Sequence, residues 1–247
     1  MKSRIRLDEL LVQRGFVTSR SRGADAVRRG TVTVDGRVAT KAGQSVAPGA
    51  RIDIDDPALN YVSRGALKLK HALDEFSFDP SGCGCLDIGA STGGFTQILF
   101  EHDAAHVTAV DVGRDQFSSE LRGDPRVTVL EGTDARALSR DLVPEEIHGI
   151  VADVSFISLT KALPVALDLG AQGCWLIALI KPQFEVGPKQ VGKGGVVRDD
   201  AVRRAAAESV RNWIDGQPGW NVIDIVASPI TGGDGNAEFL LGAVKTI

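Results

Sequence analysis

Four charged side chains stand beside segments that are otherwise apolar: Lys68, Asp153, Lys181 and Glu238. Asp153 and Lys181 each end a strand-like run, and Glu238 opens the last such run. A charge that borders a buried strand costs free energy unless it is paired or used in chemistry. Lysines and carboxylates can orient a substrate and transfer its protons. The four are therefore either ion pairs at strand ends or a catalytic site, and as a set they favour the catalytic site.

A glycine-rich turn follows the first strand-like run of the same region. Gly89, Gly93 and Gly94 lie between a strand pattern and a helix pattern, where glycine lets a ligand approach the backbone closely. Asp111 ends the next strand, where its carboxylate can accept hydrogen bonds from ribose hydroxyls, and Asp134 follows the third strand. The pattern predicts an adenosine site. Its residues are Asp87, Gly89, Ala90, Ser91, Thr92, Gly93, Gly94, Phe95, Asp111 and Asp134.

Two adenosine-containing molecules satisfy this pattern, NAD and S-adenosylmethionine. The glycine spacing departs from the G-x-G-x-x-G fingerprint that holds a pyrophosphate. S-adenosylmethionine has no pyrophosphate, so the spacing favours it as the cofactor. A second match, to G-x-x-x-x-G-K at residues 187–193, lacks the following Ser or Thr that would bind Mg²⁺. We therefore interpret that segment as a loop over the RNA or the cofactor.

The elements that must position these residues alternate between strand and helix. Strands are predicted at residues 83–88, 106–112, 127–130, 149–154 and 173–180, and two more at 220–227 and 238–244 without a helix between them. Helices are predicted at residues 63–76, 93–101, 159–169 and 199–215. This order predicts an α/β fold with a seven-stranded, mostly parallel sheet and one antiparallel strand. Ligands of such sheets bind beyond the carboxyl ends of the strands.

The first 59 residues predict a separate, small α+β domain. Residues 6–14 and 19–29 have helical patterns that end at Gly15 and Gly30, and short strand patterns follow up to residue 54. The segment after residue 54 contains Pro57, which interrupts helix propagation. We therefore expect one domain at residues 1–59 and a second at residues 60–247.

Charge is distributed unevenly over a chain of 247 residues whose formal net charge is −4. Residues 1–54 contain 11 basic and 5 acidic residues, whereas the remainder is acidic. A basic module joined to an acidic domain suggests an anionic polymer as partner, and arginine suits phosphate better than lysine does. The alternative is a solvated basic face without a ligand.

Several classes of protein are not expected from this sequence. Its apolar runs are shorter than the roughly 20 residues that span a bilayer, and its first residues do not resemble a secretory signal. The three cysteines and four scattered histidines do not form a zinc pattern, so we expect no metal. Free cysteines fit a reducing compartment, the cytoplasm. Nothing in the sequence implies a membrane or protein partner.

The amino-terminal domain resembles the RNA-binding module of ribosomal small-subunit protein four. The resemblance covers residues 6–54 and lies in Arg6-Leu7-Asp8, Ser19-Arg20-Ser21-Arg22, Val27-Arg28-Arg29-Gly30 and Val32-x-Val34-Asp35-Gly36. It implies that this domain binds RNA. The predicted RNA-binding residues of both domains are Arg6, Arg20, Arg22, Arg28, Arg29, Lys41, Arg64, Lys189 and Lys193.

The second domain resembles FtsJ-type ribose 2′-O-methyltransferases, and the whole chain resembles the TlyA family. Lys68, Asp153, Lys181 and Glu238 match the Lys-Asp-Lys-Glu tetrad of FtsJ-type enzymes, although Thr92 stands where proline is common. The resemblance implies a class I, Rossmann-like methyltransferase fold. It also implies transfer of a methyl group from S-adenosylmethionine to cytidine 2′-hydroxyls of ribosomal RNA, in one or both ribosomal subunits. By the same resemblance, Lys181 lies nearest the hydroxyl and either removes its proton or stabilises its developing charge.

Two other functions remain open at this point. A protein with this sequence could bind RNA or assist ribosome assembly without catalysis, although the complete tetrad argues against that. The family is also labelled haemolysin, although no strongly apolar amphipathic helix supports a direct action on membranes.

Overall fold

The computed structural model describes residues 4–247, and the chain forms two compact units. The first unit ends at Tyr61 and the second spans Val62–Ile247. Among the described residues, no helix is long and apolar enough to cross a membrane.

The first unit combines two helices with short antiparallel strands. Its elements are β1 (Ile5–Arg6), α1 (Leu7–Gln13), α2 (Arg20–Arg29), β2 (Val32–Val34), β3 (Arg37–Val38), β4 (Ser45–Val46) and β5 (Ile52–Ile54). Helix α2 begins at Ser19, whose side chain accepts a hydrogen bond from the backbone N–H of Arg22, and ends at Gly30 in the left-handed conformation. The two predicted helices are present, and the short strands β2, β3 and β5 follow them. The β1–β4 pair was not predicted, because two-residue strands are too short for an alternating pattern.

A small apolar core holds this unit together. Leu7, Leu10 and Leu11 of α1 pack with Ala26 and Val27 of α2, and every one of them is buried. Their spacing places them on one face of each helix, which leaves the arginines of α2 on the opposite side.

The second unit is a seven-stranded sheet between helices. Its elements are α3 (Ala66–Phe76), β6 (Gly84–Ile88), α4 (Gly94–Glu101), β7 (His106–Asp111), α5 (Ser119–Arg122), β8 (Val127–Glu131), β9 (Ile147–Ala152), α6 (Leu159–Ala162), α7 (Pro164–Leu169), β10 (Gly170–Ile180), α8 (Pro182–Glu185), α9 (Asp200–Asp215), β11 (Trp220–Ala227) and β12 (Phe239–Lys245). The strand order is β11-β12-β10-β9-β6-β7-β8.

The sheet has the predicted class, mostly parallel with one antiparallel strand. Strands β6 to β10 pair in parallel, and only β12 runs antiparallel to its neighbours β10 and β11. The order reverses at β6, which lies between β7 and β9, so a crevice opens at the carboxyl ends of β6 and β9. The predicted α/β fold is confirmed.

One predicted element is wrong in detail. Residues 159–169 form two short helices, α6 and α7, and not one continuous helix. The break lies at Leu163, because Pro164 has no N–H to donate to the preceding turn and begins a new helix.

Candidate active site

The carboxyl edge of the sheet brings three of the four charged residues next to one another. Asp153 follows β9 and Lys181 follows β10, and these two strands are parallel neighbours. Strand β12 is antiparallel to β10, with Phe239 opposite Ile180, so Glu238 enters the sheet at the same edge. The ends of β9 and β10 and the beginning of β12 therefore lie at the same edge of the sheet.

Four charges form two close ion pairs. Nζ of Lys181 lies 2.6 Å from Asp153 Oδ1 and donates a hydrogen bond to Ser155 Oγ at 2.7 Å. Nζ of Lys68, on α3, donates to Glu238 Oε2 at 2.6 Å. The Lys68–Glu238 pair is buried, with 7% and 2% of the side chains exposed, whereas Asp153 remains 22% exposed. Pairing compensates the charges that burial would otherwise penalise.

Gly89 joins the glycine turn to this edge. Its φ is +83°, and a Cβ at this position would lie 2.7 Å from the carbonyl oxygen of Asp153. The backbone N–H of Asp153 donates to the carbonyl of Ile88 at 2.9 Å. The turn after β6 can therefore contact the segment after β9 only because residue 89 has no side chain.

A cleft of about 260 Å³ opens between the glycine turn and the charged residues. It is lined by Ser63, Arg64, Gly65, Lys68, Gly89, Ala90, Ser91, Thr92, Gly94, Phe95, Asp153, Ser155 and Lys181. Nine of the predicted cofactor and catalytic residues are among these. The other predicted ones lie behind the cleft or beside it: Asp87, Gly93, Asp111, Asp134 and Glu238.

Asp87 lies beneath the turn and is completely buried. One carboxylate oxygen accepts a hydrogen bond from Thr96 Oγ1 at 2.7 Å, and the other has no partner among residues 4–247. Burial raises the pKa of Asp87 to about 7, and the nearby Asp153 carboxylate adds to this effect.

The two remaining carboxylates of the predicted adenosine site have different surroundings. Asp111 accepts hydrogen bonds from the backbone N–H groups of Ser91 at 2.8 Å and Gly113 at 2.6 Å, so it fixes the glycine turn against the end of β7. Asp134 accepts hydrogen bonds from Arg136, which lowers the pKa of the Asp134 carboxyl to about 2. Its side chain is 37% exposed and outside the lining of the cleft.

The predicted RNA-binding residues divide into several environments. Arg22 donates to the carbonyls of Ala58 and Tyr61, and Arg29 forms a two-point ion pair with the buried Asp56. These two arginines therefore hold the segment that ends the first unit. Arg6 and Arg20 share one carboxylate, Arg28 pairs with Asp25, Arg64 lines the cleft, and Lys41, Lys189 and Lys193 are exposed.

Sequence reasoning missed three residues that line the cleft, Ser63, Gly65 and Ser155. Phe156 follows Ser155 in the chain; it is 91% exposed with φ +65°, and its ring centroid lies 5.1 Å from that of Phe184. Serines are too common in loops to be recognised without a structure. Phe156 lies three positions after Asp153, and Phe184 lies three positions after Lys181. This repeated spacing of an aromatic residue after a strand-end charge is the signal that could have identified the pair.

Two protein families match the chain. The FtsJ-like methyltransferase family matches residues 61–245, and the S4 domain matches residues 5–52. Among similar proteins, the 16S/23S rRNA (cytidine-2'-O)-methyltransferase TlyA of Mycobacterium tuberculosis is 42% identical, over 98% of this chain and 90% of its own length.

Solved structures are similar over the same range. A candidate hemolysin from Streptococcus thermophilus is 36% identical and covers 100% of this chain and 90% of its own, with a TM-score of 0.76. The N-methyltransferase NodS from Bradyrhizobium japonicum, in complex with S-adenosyl-l-homocysteine, is 17% identical over 78% of this chain and 90% of its own, with a TM-score of 0.54. The latter is a likeness of fold.

Proposed function

The chain belongs to the FtsJ-like methyltransferase family, in its TlyA group, and on that premise we propose that it methylates the ribose 2′-hydroxyl of cytidine in ribosomal RNA, with S-adenosylmethionine as the methyl donor. The observation that carries the proposal is the cleft in which Lys181, paired with Asp153, faces the glycine turn that follows β6. The glycine turn supplies a surface for the methyl donor, and Lys181 with Asp153 supplies charged groups that can orient the acceptor hydroxyl.

The residues of the glycine turn fit the donor. Ala90, Ser91 and Thr92 line the cleft, and side chains at Gly89 or Gly93 would collide with Asp153 or Phe117, so the wall must be backbone. S-adenosylmethionine carries its methyl group on a positively charged sulfur. Asp87 is buried beneath this wall with one oxygen unpartnered, and its ionised form, which increases as the pH rises through about 7, contributes negative potential there.

Lys181 is the group that we assign to the acceptor hydroxyl. Asp153 and Ser155 hold its Nζ from two sides, so the amine has a fixed position at the floor of the cleft. A fixed amine can orient the 2′-oxygen for in-line attack and either take its proton or stabilise its developing negative charge. The buried Lys68–Glu238 pair keeps a second cation near this position.

The acceptor nucleotide requires a surface for its base as well as its ribose. Single-stranded RNA bases stack on exposed aromatic rings. Phe156 offers such a ring directly after Ser155 in the chain, and the ring of Phe184, three residues after Lys181, lies against it. This supports an unpaired nucleotide as the acceptor.

The first unit supplies RNA affinity in this proposal. It matches the S4 domain and carries exposed arginines and Lys41. Ribosomal RNA or a ribosomal subunit is therefore the proposed partner, and the cytoplasm, where ribosomes are, is the proposed location. A protein or membrane partner forms no part of the proposal.

The test replaces Lys181 by alanine. We expect Lys181→Ala to lower the rate of radiolabelled methyl transfer to unmodified ribosomal subunits by about 10²- to 10⁴-fold, because the hydroxyl loses its orienting amine. Binding of S-adenosylmethionine and of RNA should change little. Mapping of the labelled nucleotide identifies the subunit and the position.

Lys161→Ala is the matched control, since Lys161 is an exposed lysine on α6 outside the cleft. Activity of the control should equal that of the wild type. Retention of activity by Lys181→Ala would contradict the catalytic assignment, and wild-type binding to RNA without any methyl transfer would indicate an RNA-binding protein without this activity.

A further inference from the structure

Glu185 is a half-buried carboxylate beside the site that the proposed mechanism does not use. It ends α8, four residues after Lys181, and it is outside the lining of the cleft. Its Oε2 accepts a hydrogen bond from Ser158 Oγ at 2.5 Å, and its Oε1 accepts one from the backbone N–H of Leu159 at 2.9 Å. Glu185 therefore joins the segment after β10 to the start of α6.

The surroundings of this carboxylate make its two hydrogen bonds important. Burial raises the pKa of Glu185, and the hydrogen bonds from Ser158 and Leu159 oppose that rise. Hydrogen bonds to an ionised group are shorter and stronger than those between neutral groups. The contacts of Glu185 are therefore strong enough to fix two chain segments relative to each other.

The start of α6 is itself fixed to the core of the second unit. Leu159 is 1% exposed and packs in the main apolar core. Ser158 begins the helix, and its Oγ also accepts a hydrogen bond from the backbone N–H of Thr160 at 3.2 Å. Glu185 is therefore attached to a point that the core already holds.

The loop between β9 and α6, residues 153–158, carries groups of the site but has little backbone support. Among residues 4–247, residues 154–157 form no backbone–backbone hydrogen bond. Phe156 has a φ of +65°, a left-handed conformation that bulky residues rarely adopt. Such a conformation persists only where the surrounding structure fixes it. The shape of this loop therefore depends on side-chain contacts.

Three side-chain contacts join this loop to the segment after β10, in the same order along both segments. The first is the contact of Lys181 with Asp153 and Ser155. The second is between the Phe156 ring and an aromatic ring of α8. The third is made by Glu185, at the end of the loop that the core holds. Loss of this third contact would release the groups that hold the Lys181 amine.

We propose that Glu185 is a positioning residue for methyl transfer, because it fixes the loop so that Asp153 and Ser155 keep the Lys181 amine in place. The proposal rests on the proposed function, in which this amine orients the acceptor hydroxyl. Glu185 acts through the loop and not by contact with a substrate, since it lies outside the lining of the cleft. Its contribution is the geometry of two hydrogen bonds, and not its charge.

The experiment compares Glu185→Ala with the wild type in single-turnover methyl transfer to unmodified ribosomal subunits, with RNA and S-adenosylmethionine saturating. We expect the rate to fall by about 10- to 100-fold, because small displacements of reacting groups have effects of this size. The Kd for S-adenosylmethionine, measured by calorimetry, should change by less than about 2-fold, since the variant leaves the glycine turn intact.

Glu185→Gln tests geometry against charge. The amide oxygen can accept from the N–H of Leu159, and the amide nitrogen can donate to Ser158 Oγ, so both contacts persist without the charge. We expect this variant to lose no more than about 3-fold in rate, the effect of a modest change in hydrogen bonding. A rate as low as that of Glu185→Ala would overturn the proposal.

A double-mutant cycle tests whether Glu185 acts through the loop. Ser155→Ala removes a contact of the Lys181 amine that Glu185 does not itself make. Once Glu185→Ala has released the loop, the loss of this hydroxyl should matter little. The double variant should therefore be within about 3-fold of the slower single variant. A side chain that only stabilises the fold would give losses in rate that multiply.

Asp215→Ala is the matched control for a lost contact between two elements. Asp215 ends α9, and its Oδ1 accepts a hydrogen bond from the backbone N–H of Val222 on β11 at 2.7 Å. Val222 pairs with Ala243, away from the sheet edge at which β12 begins beside the cleft. Thermal unfolding should show that both Asp215→Ala and Glu185→Ala are less stable than the wild type. Methyl transfer by Asp215→Ala should equal that of the wild type.

The outcomes separate this role from the function on which it rests. With an active wild type, a rate of Glu185→Ala within about 3-fold of normal would overturn the positioning role alone. Losses that multiply in the cycle would also overturn it, as would a loss of S-adenosylmethionine affinity as large as the loss in rate. Absence of methyl transfer by the wild type would overturn the proposed function and the positioning role together.

A second variant keeps the test decisive if circular dichroism shows that Glu185→Ala is unfolded. Ser158→Ala removes one of the two hydrogen bonds of Glu185 and leaves the one from Leu159. We expect it to lower the rate by about 3- to 10-fold, the effect of one hydrogen bond. An unchanged rate would overturn the proposal.

Discussion

Asp87 has an environment that separates it from the other carboxylates of the site. Where Asp153 and Glu238 are paired with lysines, Asp87 has one hydroxyl partner and one unpartnered oxygen, and no solvent reaches it. Burial disfavours its charged form, so the group is held near the point of half-protonation at neutral pH.

This residue predicts a pH dependence of folding. The pKa of Asp87 rises from 3.8 to about 7 on folding, so between pH about 4 and 7 the folded state holds a proton that the unfolded state releases. The wild type should therefore lose stability as the pH rises through this window, relative to Asp87→Asn, by at most about 4 kcal/mol. Urea unfolding of both proteins at several pH values measures the difference. Parallel pH profiles would show that Asp87 remains charged in the folded state.

Residue roles could be inferred from the sequence where the signal was local. Lys181 and Asp153 were recognisable as charges that end apolar runs, and both of them line the cleft; their catalytic role stays a prediction. Arg22 and Arg29 were grouped with the RNA-binding residues on the resemblance to the ribosomal-protein module, and the structure shows that they donate to Tyr61 and Asp56, which lie 39 and 27 positions away. No local pattern reveals such a contact.

At the scale of elements, the glycine-rich loop before α9 is fastened to the start of β12 by one side chain. Asn236 is 2% exposed; its Oδ1 accepts from the N–H of Val197 and its Nδ2 donates to the carbonyl of Gly195, both at 3.0 Å. Glu238 follows two residues later, and its carboxylate packs against Gly232. The loop that carries Lys193 is thereby attached to the segment that positions Glu238.

This attachment predicts a combined effect on stability and catalysis. Asn236→Ala should reduce the free energy of unfolding by about 1–3 kcal/mol, because the buried N–H of Val197 and the carbonyl of the exposed Gly195 both lose their partner. It should also lower kcat for methyl transfer more than it changes the affinity for S-adenosylmethionine. Thermal unfolding and single-turnover assays measure the two effects. Asn221→Ala, at an exposed asparagine on β11, is the control. Equal stability and equal kcat of the two variants would show that attachment of the loop does not affect the site.

Elements were predictable where period and length were sufficient. All seven strands of the large sheet, the antiparallel one included, were predicted from strand-like segments that mostly alternate with helix-like ones. The resemblance to a known family agrees with the families and relatives that match the chain. The two-residue strands β1 and β4 have no period, and the interruption at Pro164 was overlooked because the apolar spacing continues through it.

At the scale of the whole molecule, the two units differ in charge. Residues 1–61 contain 11 basic and 7 acidic residues, and residues 62–247 contain 17 and 25, a net charge of −8. An acidic unit is repelled by RNA, so the proposed function assigns the affinity for RNA to the localised cations of the first unit and to those near the cleft.

This division predicts how salt acts on the reaction. Raising the salt concentration from about 50 to 200 mM should increase KM for RNA by at least about 10-fold, because phosphate contacts are replaced by counterions. The KM for S-adenosylmethionine should change much less, since the site proposed for it is a small cleft of backbone and paired charges. Steady-state assays at several salt concentrations measure both values, and similar changes in the two would refute the division.

The Lys68–Glu238 pair joins side chains that are 170 positions apart. Strand β12, which follows Glu238, lies inside the sheet between β10 and β11. During synthesis, Lys68 is therefore made long before its counterion Glu238. Strand β11 cannot join β10 in the sheet until β12 has been made and has inserted between them. A pairing of such high contact order forms late in folding. An enzyme that modifies ribosomal RNA would thus acquire its complete set of charges only after nearly all of the described chain has left the ribosome that makes it.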